Sequence, residues 1–80
     1  MKKDFIKEMK VMDRGKVDTY KELMNNIEKV KTNLEIDYNN MQFAEDRNLV
    51  DYYTYKIKAE EAKYDFLLKE AKKVETGMYL

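Results

Sequence analysis

Two stretches of the chain bring together residues that could do chemistry. One is the adjacent acid pair Glu60-Glu61; the other is the run Tyr52-Tyr53-Thr54-Tyr55-Lys56-Ile57-Lys58. Paired carboxylates can hold a metal or share acid–base work when their oxygens converge on one point. Neighbouring residues on a helix point about 100° apart, so Glu60 and Glu61 do not converge by themselves. They read as solvated or hydrogen-bonded glutamates. The tyrosine–lysine run resembles a nucleic-acid-binding stretch, in which exposed aromatics stack on bases above a basic surface. Here the aromatics fall on two apolar stripes and acids interrupt the lysines, so packing is the better reading.

No nucleophile with a base can be assembled. The chain lacks His, Cys and Ser, and Thr19, Thr32, Thr54 and Thr76 have no histidine to activate them. Gly15 and Gly77 are the only glycines, which excludes a phosphate-cradling loop. The Glu-x-x-His pairs of di-iron bundles cannot be written either. No catalytic residue, metal site or cofactor is expected. At 80 residues there is room for one domain, residues 1–80, which buries only about 60% of the surface its unfolded form exposes. Small scaffolds make up that shortfall with disulfides, metals or a partner subunit. Without cysteine or histidine, oligomerisation is the remedy left.

Charged residues make up 40% of the chain in equal numbers of each sign, and proline is absent. That balance removes the bulk electrostatic case for a nucleic-acid or anionic-membrane binder. Residues 1–16 are more basic, carrying Lys2, Lys3, Lys7, Lys10, Arg14 and Lys16 against three acids. No apolar run approaches the roughly 20 residues that cross a bilayer. Asp4, Lys7, Glu8 and Lys10 interrupt what would be the apolar core of a signal peptide. A cytoplasmic location is expected.

The elements that must position these residues are helices. Strand alternation is missing, and the apolar period is near 3.6. One long helix is expected over about 17–40, with Tyr20, Leu23, Ile27, Val30, Leu34 and Met41 at steps of three and four and Asp37 filling a gap. Tyr38 and Met24 widen that stripe, and Asn39-Asn40 mark its end. A second is expected over about 47–75, capped by Asp46 and ended by Thr76-Gly77. Lysines gather at its far end and acids at its start, as the helix dipole favours. A loop of some six residues forces an antiparallel hairpin, a short coiled coil. A shorter amphipathic helix over 4–13 carries Phe5, Ile6, Met9 and Met12, and Asp13-Arg14-Gly15-Lys16 then breaks the stripe.

The second long helix has two apolar faces. Val50, Tyr53, Ile57, Tyr64, Leu67, Ala71 and Val74 form the face that matches the first helix, with Leu49 and Leu68 at its edges. Folding the hairpin sets Leu34 near Ile57, Ile27 near Tyr64 and Leu23 near Leu67. It also sets Asp37 near the Tyr53 hydroxyl, and Glu60 near Lys31 or Lys29 at the seam's edge. About 180° away lies a second stripe, Tyr52, Tyr55, Ala59, Ala62 and Phe66. A hairpin covers one face only, and a helix apolar on both sides is normally buried on both. The cover is the helix of residues 4–13, giving a three-helix unit; a second copy, giving a dimeric four-helix bundle; or an unrelated partner.

The segment 46–72 resembles the C-terminal half of the YaaL-like family. The likeness lies in Leu49-Val50-Asp51-Tyr52-Tyr53, Lys58-Ala59-Glu60, Ala62-Lys63-Tyr64 and Leu67-Leu68-Lys69-Glu70-Ala71. It departs at Arg47, where the family is expected to have proline; both residues suit the first turn of a helix. The first long helix matches only in apolar spacing, and residues 1–16 hardly at all. The resemblance implies a short helical protein from low-GC Gram-positive bacteria, cytoplasmic and of unknown function, and transfers no catalytic residue.

The expectation is therefore an all-α, non-enzymatic protein–protein interaction module, a homodimer or the partner of another helical protein. Its contact face is Tyr52, Tyr55, Ala59, Ala62 and Phe66. An alternative is a nucleic-acid or anionic-membrane accessory that uses the basic residues of 1–16, although neither partner is favoured by the overall charge. A small phage-type or host regulator that inhibits a larger protein differs from the first only in its partner.

Overall fold

The computed structural model describes residues 13–77, which form two α-helices, α1 (Arg14–Gln42) and α2 (Arg47–Thr76), packed as an antiparallel hairpin. The expected helix over 4–13 lies outside the described residues except for Asp13. Lysines and glutamates recur along both elements and proline is missing, so no strong helix breaker opposes them.

α1 starts a turn earlier than its apolar spacing suggests. The segment Asp13-Arg14-Gly15-Lys16, which breaks the apolar stripe, forms the cap and first turn of α1. Asp13 is extended, at φ −79° and ψ 107°, and its carboxylate accepts the Lys16 amide at 3.1 Å. Its carbonyl accepts the Val17 amide at 2.9 Å. Amides of the first turn have no partner within the helix, so a capping carboxylate decides the boundary while the apolar stripe is silent there. At the other end α1 runs through Asn39 and Asn40 to Gln42. Met41 is half-buried there, with Thr54 Oγ1 3.9 Å from its sulfur, and that packing outweighs the weak propensity of two asparagines.

The connection is shorter than expected, residues 43–46, and Asp46 caps α2 by accepting the amides of Asn48 at 2.7 Å and Leu49 at 3.4 Å. α2 ends at Gly77, which stays at φ −104° and does not enter the left-handed region expected of a terminal glycine. A β-carbon there would sit 3.2 Å from the Lys16 ammonium. The start of α1 thus places a cation over the carbonyl end of α2, the arrangement the helix dipole favours.

The seam follows a strict alternation of three and four residues. On α1 it holds Tyr20, Leu23, Ile27, Val30, Leu34, Asp37 and Met41, all buried or half-buried. On α2 it holds Val50, Tyr53, Ile57, Glu60, Tyr64, Leu67, Ala71 and Val74. This is the heptad pattern of a coiled coil. Ile27, Val30, Leu67 and Ala71 form its buried centre, with Tyr20, Leu23, Leu34 and Tyr64 packed around them.

The register differs from the one expected. Contacts of Asp37 with Lys56, Met41 with Thr54 and Lys16 with Gly77 each fall about one turn further along α2 than pairing Asp37 with Tyr53 implies. Side chains on antiparallel helices lean toward their own N-termini, so matching apolar stripes by position alone misplaces the layers.

Candidate interaction surface

The polar residues of the seam and the apolar residues outside it make up the unusual features of this hairpin. Asp37 is only 3% exposed, in the middle of an apolar stripe. Its carboxylate accepts two hydrogen bonds from the Lys56 ammonium, at 2.9 and 2.7 Å. The expected Tyr53 hydroxyl is not its partner. Lys56 lies at the margin of the seam, its side chain 35% exposed, so its stem crosses the apolar edge and its ammonium reaches in. The hydrogen bond to Asp37 holds the Lys56 ammonium's pKa above its ordinary value, with the Asp37 and Glu60 charges adding to the effect and burial opposing it.

Glu60 and Glu61 part company, as their angular separation requires. Glu60 sits in the seam itself, half-buried, with no ion pair to Lys29 or Lys31. Its Oε2 is buried without a hydrogen-bond partner among the described residues. The expectation of a pair at the seam's edge fails because position 60 continues the three–four spacing from Ile57 to Tyr64. Glu61 points out and accepts a 2.5 Å hydrogen bond from the Tyr38 hydroxyl. That bond to a carboxylate raises the Tyr38 phenol above its usual range. The tyrosine–lysine run divides likewise: Tyr53 and Ile57 face inward, Lys56 binds Asp37, and Tyr52, Tyr55 and Lys58 face outward.

The outer face of α2 carries the predicted contact residues. Tyr52 is 53% exposed, Tyr55 71% and Phe66 59%; Ala59 and Ala62 are exposed between them. Their spacing puts them on one line, about 21 Å long at about 1.5 Å per residue, on the side away from α1. Tyr52 packs edge-to-face on Tyr53, ring centres 5.0 Å apart, which anchors the upper end of the stripe to the seam. No described residue covers this face. Of the basic residues proposed for the alternative reading, Lys2, Lys3, Lys7 and Lys10 lie outside the described residues. Arg14 and Lys16 are exposed at the start of α1.

Sequence reasoning placed the outer stripe but missed the Asp37–Lys56–Glu60 layer. Lys56 belongs to neither stripe by spacing, and only its long reach brings it to the seam. The signal was present: two acids in otherwise apolar heptads require a cation within a turn.

Geometrically the molecule is an antiparallel coiled-coil hairpin with a polar layer in its seam and an apolar outer stripe. Among the described residues no helix is long and apolar enough to cross a membrane. The chain belongs to a family of proteins of unknown function (DUF2508), whose model matches residues 7–77. The match extends well beyond the 46–72 segment that carried the resemblance and takes in the whole of α1. No curated protein and no solved structure matches the chain.

Proposed function

We propose that this chain is a non-enzymatic protein–protein interaction module that receives another helix on the outer face of α2. The observation that carries this reading is the uninterrupted, exposed line Tyr52, Tyr55, Ala59, Ala62, Phe66 opposite a seam that is already filled. Contiguous exposed apolar surface of this kind marks interaction sites on soluble proteins. The chemistry suits a helical partner. Two alanines in the middle permit close backbone approach, and large aromatics at either end supply contact area at small entropic cost. A cytoplasmic bacterial protein akin to the YaaL-like family is the corresponding biological setting.

The test is the pair of substitutions Ala59→Glu and Ala62→Glu, made together. Both positions are exposed and outside the seam, so far-UV helicity should persist. The complex seen by light scattering should disappear. A complex that survives both glutamates at wild-type strength would overturn the assignment of the face.

A further inference from the structure

We infer that the helix received on this face is α2 of a second copy, lying antiparallel about a two-fold axis between the Ala59 and Ala62 layers. This rests on the reading of the outer face just given and supplies its partner. The outer stripe repeats at steps of three and four, so two copies can pack on it as a coiled coil packs on its seam. In the antiparallel arrangement Ala59 lies level with the partner's Ala62, and Phe66 with the partner's Tyr55. Small residues meet small ones at the centre, and aromatic meets aromatic on both sides of it.

The charges beside the stripe select this arrangement. Along one border stand Asp51, Lys58, Asp65 and Lys72, seven residues apart and alternating in sign. All four are exposed, and none makes an ion pair among the described residues. In antiparallel coiled coils like borders face each other. With the axis between the alanines, Lys58 faces the partner's Asp65 and Asp51 faces the partner's Lys72. The two-fold repeats both, giving four attractive contacts. Sliding the copy by one heptad in either direction sets Asp65 or Lys58 against its own counterpart, and every contact along that border becomes repulsive.

Parallel pairing is disfavoured by the same charges. It sets Lys58 against the partner's Lys63 and Asp65 against the partner's Glu70, like against like. Only Asp51 then meets a lysine, the partner's Lys56, whose ammonium is already held by Asp37. The antiparallel register has one unfavourable feature on its other border, where Lys63 faces the partner's Lys56. There the Asp37 carboxylate offsets the Lys56 charge, so the four attractive contacts decide. Rim charges of this kind act mainly on orientation and register, with the apolar stripe supplying affinity.

The experiment uses two charge reversals, Lys58→Glu and Asp65→Lys, in the full chain, followed by sedimentation equilibrium at low salt. Each variant alone turns two attractive contacts into repulsive ones and should dimerise roughly tenfold more weakly than wild type. Mixed in equal amounts, the two variants should form a heterodimer of near wild-type strength. The glutamate placed at 58 in one chain then meets the lysine placed at 65 in the other, while the native Lys58 and Asp65 meet as well. Circular dichroism confirms that each variant remains helical. A dimer that either reversal leaves unchanged, or that mixing fails to restore, overturns the antiparallel register. If the glutamates at 59 and 62 still abolish that dimer, the reading of the face stands. A wild-type chain that stays monomeric at low salt overturns the second copy as occupant. The face itself is then judged by whether a complex with another protein is lost in the 59/62 variant.

Discussion

Asp37 and Lys56 make an asymmetric pair. The carboxylate is almost wholly enclosed, whereas the ammonium keeps a third of its side chain in water. Removing one partner is therefore not equivalent to removing the other. Lys56→Met strands a buried carboxylate, so it should lower the melting temperature clearly. Asp37→Leu removes the charge from an apolar seam and leaves Lys56 free to turn to solvent, so its melting temperature should stay close to wild type. Thermal melts of the two variants test this order, and a milder effect for Lys56→Met would contradict the geometry. The pH dependence has a definite sign. Tyr38 and Lys56 both hold their protons more tightly in the folded chain than in the unfolded one. Above the ordinary tyrosine value of 10.0 the folded state therefore binds more protons, and stability falls as pH rises further. Below that value neither group contributes any slope. Melts at pH 8, 10 and 11 should show the decline beginning above about 10, and Tyr38→Phe should shrink it.

At the scale of the helix, caps and seam divide the work. Asp13 and Asp46 each satisfy amides that nothing else in their helix can reach, so Asp13→Ala or Asp46→Ala should cost about 1 kcal/mol. Ile27 and Leu67 lie in the buried centre, and truncating either to alanine should cost about 2–5 kcal/mol, the larger effect by far. Denaturant titrations distinguish the two classes. Most of this was legible in the sequence. Three–four spacing identified both helices and their inward residues apart from Glu60, the short connection gave their antiparallel order, and Asp46 announced its own cap. Less legible were features that depend on reach. The offset between helices depends on the lean of the side chains, and Lys56 enters the seam only through its length. The start of α1 was hidden because no apolar residue of the stripe falls on its first turn, Arg14-Gly15-Lys16, so only the Asp13 cap marks it. For the outer stripe, spacing alone was sufficient to place all five residues on the far side of α2.

The described hairpin, with so modest a buried centre, has little stability in reserve. Globular chains hold about 0.05–0.15 kcal/mol per residue, so about 4–12 kcal/mol is the whole margin for a chain of this length. Exposing an aromatic stripe adds nothing to that margin, whereas covering it with a second copy does. Association that occurs only between folded chains stabilises by mass action, so the melting temperature should rise with protein concentration. The variant with glutamates at 59 and 62 should show no such rise. Sedimentation equilibrium of the wild-type chain over a range of concentrations puts self-association to the plainest trial. Pairing through α2 predicts convergence on twice the 9.7 kDa chain mass as concentration increases. A mass that stays at 9.7 kDa at the highest concentration would contradict it.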